Sequence, residues 1–155
     1  MNPTPSPEVG GAITALVQGR HQQPHDLLGQ HLESGGLRIR VLKPLAQSVQ
    51  VRFEDGVTLD LAHEAEGVWT AVRADAERTM DYRLAVAWAD GIEHVQDDPY
   101  RFAPTLGEVD LHLVNEGRHE LLWTVLGSRL HEYDGPMGPV KGVAFAVWAP
   151  RAKAV

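Results

Sequence analysis

The chain has 155 residues, 21 acidic and 14 basic, no cysteine and a formal charge of −7. That length suits one domain or one and a fraction, enough to bury about 68–70% of its unfolded surface without a covalent staple. Lack of cysteine excludes disulfides and thiolate metal sites and fits a reducing, cytoplasmic setting. The negative charge disfavours nucleic acid and anionic membranes as partners, and no apolar run is long enough to span a bilayer.

The opening MNPTPSPEV has neither a basic n-region nor an apolar h-region, so no secretory leader is expected. Residues 1–7, rich in proline and polar groups, read as frayed. Ser6 before Pro7 and Glu8 starts a short helix, with Val9, Ile13, Leu16 and Val17 as one apolar stripe and Gly19 as its stop. From Gly36 the period becomes two. Leu37, Ile39 and Val41 alternate with arginines, and Val49, Val51 and Phe53 run to the turn Asp55-Gly56. Leu59, Leu61 and the run Val68–Val72 follow, and the longest strand is Asp81–Ala89, with Tyr82, Leu84, Val86 and Trp88 on one face. Asp90-Gly91 turns the chain into Ile92–Val95. About six short strands at this spacing predict a mainly β fold, an immunoglobulin-like antiparallel sandwich with a short N-terminal helix and a C-terminal helical connector.

Beyond Pro99 the pattern predicts a helical piece over 107–114. It predicts a second helix capped by Asn115, with Leu121, Leu122, Val125 and Leu126 buried and Gly127 as its end. The expected organisation is a helix and lead-in loop at 1–35, the sandwich at 36–102, the helical connector at 103–133 and a Gly/Pro linker at 134–141. An internal echo bears on the rest. GLRIRVLKPLAQSV at 36–49 aligns with GVAFAVWAPRAKAV at 142–155, with five identities, and Leu28-Gly29 with Leu32 recurs as Leu126-Gly127 with Leu130. Residues 142–155 therefore read as the first strands of a second, truncated sandwich, because a lone hairpin cannot bury its apolar face.

Several motifs have a familiar form. Pro24-His25-Asp26-Leu27-Leu28-Gly29-Gln30-His31, the stretch Asp97–Phe102 with Pro104–Leu111, the helix Glu116-Gly117-Arg118-His119-Glu120 with Leu122-Trp123, and Gly142–Pro150 resemble bacterial 1,4-alpha-glucan branching enzymes. The resemblance runs from about residue 12 to the end. It implies a first module similar to carbohydrate-binding module family 48, followed in the family by a second sandwich, an amylase-type barrel and a C-terminal β domain. It further implies an accessory role in a transglycosylase that cuts α-1,4-glucan and forms α-1,6 branches. The downstream modules, the catalytic barrel and α-glucan would then be the partners, and no cofactor is expected. No catalytic residue carries over, since the family's carboxylates lie on the barrel. Two departures stand out: Arg129 replaces the second LGxH histidine, and Ile92-Glu93-His94 follow Asp90-Gly91 where glucan binders place an aromatic.

Four tryptophans are the candidate contacts, because sugar C–H faces lie well on exposed rings. Trp69 and Trp88 are the carbohydrate candidates, with core packing as the competing reading, and Trp123 and Trp148 the interdomain ones. A metal on His21, His25 and His31 is not expected, since Pro24 breaks the helical spacing; His25 and His31 should instead bond backbone. Asp97 and Asp98 are adjacent and read as a turn, so they are not a glycosidase pair. Three readings remain open: an accessory module of a branching enzyme or of a related debranching-type enzyme, a stand-alone glucan binder, or an interaction domain.

Overall fold

The computed structural model describes residues 7–152, so the helix start expected at Ser6, the polar run 1–6 and Lys153–Val155 lie outside the described residues. The chain divides into two compact units, Met1–Phe102 and Ala103–Val155.

The first unit opens with α1, Pro7–Val17, whose stripe is the one the spacing predicts: Ile13 and Leu16 are buried, Val9 and Val17 partly covered. Gly19, at φ +66°, stops it. Gly19 N–H donates to Leu16 O at 2.9 Å and Arg20 N–H to Ala15 O at 2.8 Å, the paired bonds of a glycine C-cap. A 3-10 turn, Pro24–Asp26, leads into eight strands: β1 (Gly29–Glu33), β2 (Gly36–Leu42), β3 (Ser48–Phe53), β4 (Thr58–Asp60), β5 (Ala62–Ala65), β6 (Val68–Arg73), β7 (Tyr82–Ala87) and β8 (Glu93–Gln96). They form two antiparallel sheets, ordered β1-β2-β6-β5 and β4-β3-β7-β8, that make an antiparallel β-sandwich. A final 3-10 turn, Pro99–Arg101, closes the unit.

Alternation decides which side chains meet between the sheets. Leu37, Ile39 and Val41 of β2 face Val49, Val51 and Phe53 of β3 and Tyr82, Leu84 and Val86 of β7 in one cluster, with Leu61, Trp69, Ala76 and Met80. Each large apolar side chain so placed contributes about 1.5–3 kcal/mol relative to exposure. A second cluster lies on the outer face of the first sheet, where Ile13 and Leu16 of α1 pack with Leu27, Leu28 and Val68. β2 is thus covered on both faces, and its outward Arg40 is buried. A bidentate pair with Glu64 satisfies it: Nε donates to Oε2 at 2.8 Å and Nη2 to Oε1 at 3.2 Å.

The exit of the sandwich is fixed from inside. Tyr82 Oη donates to Asp98 Oδ2 at 2.6 Å and Tyr100 N–H to Asp98 Oδ1 at 3.2 Å, both Tyr82 and Asp98 being buried. Burial lifts the Asp98 carboxyl above the usual carboxylate range, against the pull of these two bonds. A carboxyl whose pKa is higher folded than unfolded favours the fold below its unfolded pKa, and that contribution is lost as pH rises through the folded value. Asp98→Asn keeps an acceptor for Tyr100 and removes the ionisation. The variant should therefore gain stability relative to the parent as pH rises above the ordinary carboxyl range of about 4, as read by urea unfolding across a pH series. A difference that is flat with pH would contradict this assignment.

In the second unit α2 spans Glu108–Asn115, a 3-10 turn Leu122–Thr124, and β9 (Gly127–Gly135) pairs antiparallel with β10 (Gly138–Ala146). Two local expectations are corrected. No second helix follows Asn115, because Gly117 at φ +67° caps α2: its N–H donates to Val114 O at 3.1 Å and Arg118 N–H to Leu113 O at 2.9 Å. The Gly/Pro run at 134–141 is not a linker. Gly135 pairs with Gly138 around the turn Pro136-Met137, and Pro139 sits in a two-stranded ladder where its missing N–H is tolerated at an open edge.

Candidate functional site

Trp69 lies on β6 with its ring in the sandwich core and 9% of its surface exposed. Nε1–H donates to Lys43 O at 3.2 Å, and His63 meets the ring edge at 5.1 Å. Such a ring offers no open face to a sugar, so the carbohydrate role expected for Trp69 gives way to core packing, the competing reading. The register sets Trp69 opposite Val41, an inward position.

Trp88 lies just beyond β7 and is half-buried, one side against the core cluster and His94 5.5 Å away. It sits at one end of the sandwich on a tight turn, with Gly91 N–H donating to Trp88 O at 2.9 Å and Ile92 N–H to Asp90 Oδ1 at 3.0 Å. Ile92 and His94 are exposed. Gln47 N–H donates to Ala87 O at 2.8 Å, which ties the β2–β3 loop to this strand end. That loop presents Leu45 at φ +64° and 90% exposure. An exposed leucine in the left-handed region went unnoticed in the sequence; only the bracketing Pro44 and Ala46 hint at a turn there. This aliphatic end of unit 1 is its one candidate contact surface that includes an accessible tryptophan.

Trp123 and Trp148 fall in the second unit, at 67% and 54% exposure. Trp123 belongs to the 3-10 turn and Trp148 follows β10.

The three histidines of the lead-in bond the backbone. His25 Nε2 donates to Phe102 O at 3.2 Å, with the ring edge-on to Tyr100 at 4.9 Å, and His31 Nε2 donates to Leu28 O at 3.1 Å. His21 Nδ1 accepts from Gln23 N–H at 3.2 Å. Among the described residues no three His, Asp or Glu side chains converge as metal ligands. His119 also meets a carboxylate: Nδ1 accepts from Leu121 N–H and Nε2 lies 3.0 Å from Asp110 Oδ1, a hydrogen bond that holds the Asp110 carboxyl below the usual range. Asp98 is spent on the buried bonds already described, and Asp97 pairs with Arg101 at 3.2 Å. Neither is free for acid–base work across one glycosidic bond. No helix of the described residues is long and apolar enough to cross a membrane.

Residues 10–100 match the family model described as alpha-1,4-glucan branching enzyme GlgB, N-terminal domain. The 1,4-alpha-glucan branching enzyme GlgB of Thermobifida fusca (strain YX) is 49% identical over 143 residues, which is 92% of this chain and 19% of that protein. The enzyme of Rhodococcus jostii (strain RHA1) is 48% identical with the same coverage. Among solved structures, the pullulanase from Bacillus acidopullulyticus is similar with a TM-score of 0.41 at 24% identity, over 47% of this chain and 10% of that one. The chain thus spans about a fifth of the length of the curated relatives it matches. With the family model covering most of the sandwich, the chain belongs to the GlgB alpha-1,4-glucan branching enzyme N-terminal domain family.

Proposed function

We propose that this chain is the front, non-catalytic part of a glycogen branching enzyme, acting in the cytoplasm and positioning α-glucan or the catalytic barrel of the same polypeptide. The match of residues 10–100 to the branching-enzyme N-terminal family carries this reading. The chemistry of unit 1 supports positioning rather than tight binding. Trp69 is closed in the core, and the residues after the Asp90-Gly91 turn are aliphatic, acidic and imidazole rather than a stacking ring. Deleting residues 1–102 from the full enzyme should leave glucan transfer intact and shift the distribution of transferred chain lengths, read after debranching. An unchanged distribution would refute the positioning role.

A second reading, direct glucan binding, is favoured by one observation: the accessible side of Trp88 beside Ile92. Affinity electrophoresis in glycogen gels separates the two. Retardation of the chain that Trp88→Ala removes would establish binding at this end; migration unaffected by glycogen would leave positioning alone.

A further inference from the structure

Three Asp-Gly pairs occur in this chain, Asp55-Gly56, Asp90-Gly91 and Asp134-Gly135. The first two sit in the same kind of turn. Gly56 N–H donates to Phe53 O at 3.0 Å and Val57 N–H to Asp55 Oδ1 at 3.1 Å. Gly91 N–H donates to Trp88 O at 2.9 Å and Ile92 N–H to Asp90 Oδ1 at 3.0 Å. Both glycines have positive φ, +84° and +71°, and at neither would a Cβ meet another atom within 4 Å. Backbone shape and hydrogen bonds are therefore matched between the two.

What grips the carboxylate differs. Asp55 is held by both arms of the Arg73 fork, Nη1 donating to Oδ1 at 3.0 Å and Nη2 to Oδ2 at 2.6 Å. Arg73 is itself pinned, with its side chain 7% exposed, its guanidinium 4.8 Å from the centre of the Phe53 ring and a further bond to Asp75. Its hydrogen bonds hold the Asp55 carboxyl below the usual range. Among the described residues Asp90 pairs with no guanidinium. His94 Nε2 lies 3.8 Å from its Oδ2, beyond hydrogen-bond reach, and both side chains are about half exposed. Asp134-Gly135 is different again. Both residues belong to the β9–β10 ladder, opposite Pro139 and Gly138, which keeps that backbone extended.

An Asp-Gly bond can rearrange without an enzyme. The glycine nitrogen attacks Cγ of the neutral carboxyl, forming an N–Cγ bond. The Cγ–OH bond breaks, and the hydroxyl leaves with the amide proton as water, closing a cyclic imide. Water then opens the ring at Cγ, restoring aspartate, or at the main-chain carbonyl, giving isoaspartate, whose backbone runs through Cβ and Cγ. Glycine favours the attack because no Cβ obstructs its nitrogen. A carboxylate kept ionised and doubly bonded has no hydroxyl to lose and cannot turn toward the amide.

We propose that Asp90-Gly91 is a site of spontaneous isoaspartate formation and that Arg73 protects the otherwise equivalent Asp55-Gly56. The product inserts one carbon into the turn after Trp88 and takes the acceptor away from Ile92 N–H. The end of unit 1 that carries Trp88 and Ile92 is thus the part of the sandwich that changes as the protein ages, whatever that end binds.

Incubating the folded 155-residue chain in mildly acidic heavy-oxygen water and mapping its peptides tests this, because each ring opening leaves one heavy oxygen on the residue. Isoaspartate at 90 should accumulate at least about tenfold faster than at 55 or 134. In guanidinium chloride, where Arg73 no longer grips Asp55, the rates at 55 and 90 should converge to within about threefold. Equal rates at 55 and 90 in the folded chain overturn the proposal. So does a bias toward 90 that persists in denaturant, since it would belong to the flanking residues, and so does label that appears first at 134. Arg73→Lys keeps the charge and loses the fork, so it should raise the rate at 55 toward that at 90 and leave 90 unchanged. No rise at 55 in a variant with the parent's circular dichroism refutes the protection. The denaturant comparison needs no variant and decides the matter even if Arg73→Lys does not fold.

Discussion

Trp69→Ala is expected to cost about 3–5 kcal/mol, a large part of the 5–15 kcal/mol that holds a typical domain folded. Three losses combine. The ring leaves a void in a cluster that includes Leu37, Ile39, Val41 and Leu84, which close packing cannot fill without strain. The Lys43 carbonyl loses its indole donor, and the imidazole of His63 loses the ring edge it meets. Trp69→Phe keeps most of the volume and forfeits the donor, so about 1–2 kcal/mol should be lost. Urea unfolding followed by far-ultraviolet circular dichroism separates the two variants. The result also governs how sugar-binding tests are read: weakened glycogen retention in Trp69→Ala reports unfolding, which is why Trp88, half-exposed at the strand end, is the informative position.

Glu64→Ala should cost about 3–5 kcal/mol, although a surface glutamate is ordinarily replaceable at almost no cost. The side chains of Arg40 and Glu64 are 10% and 7% exposed, so removing the carboxylate leaves a buried guanidinium with two donors unpaired. The pair as a whole is worth far less than this. Taking both charges out of water costs about as much as their attraction returns, and Arg40→Met combined with Glu64→Leu should lie near neutral. The Lys141–Glu132 pair, with both side chains more than half exposed, serves as the contrast: Glu132→Ala should change stability by less than about 1 kcal/mol. A double-mutant cycle on Arg40 and Glu64 in guanidinium-induced unfolding gives the coupling directly. If Glu64→Ala unfolds like the parent, the Arg40 guanidinium reaches water more readily than its burial implies.

The strands that alternate cleanly were legible. Val49, Val51 and Phe53, and Tyr82, Leu84 and Val86, each put one face in the core and leave smaller or polar residues on the other, so their period of two survives in the sequence. β1 went unread because Gly29–Glu33 is a short edge strand with one buried residue and no apolar repeat. Leu59 and Leu61 looked like one strand, but the chain crosses between sheets there: β4 pairs with β3, β5 pairs with β6, and Leu61 N–H bonds Val49 O at 2.8 Å. Nothing in an alternating pattern says which sheet a strand joins. The second unit was misread for a different reason. Leu121, Leu122, Val125 and Leu126 have helical spacing, and only the left-handed glycine at 117 shows that the helix has already ended.

The β9–β10 hairpin has a geometric corollary. Gly127 pairs with Ala146 where Gly29 pairs with Arg40, so it holds eight more residues than the β1–β2 hairpin. Four per strand at roughly 3.3 Å each, they extend the ribbon by about 13 Å. Val143 and Phe145 nearer its base are 48% and 76% exposed, so substitutions along the ladder from Glu132–Lys141 to Gly135–Gly138 disturb no packed core within this unit.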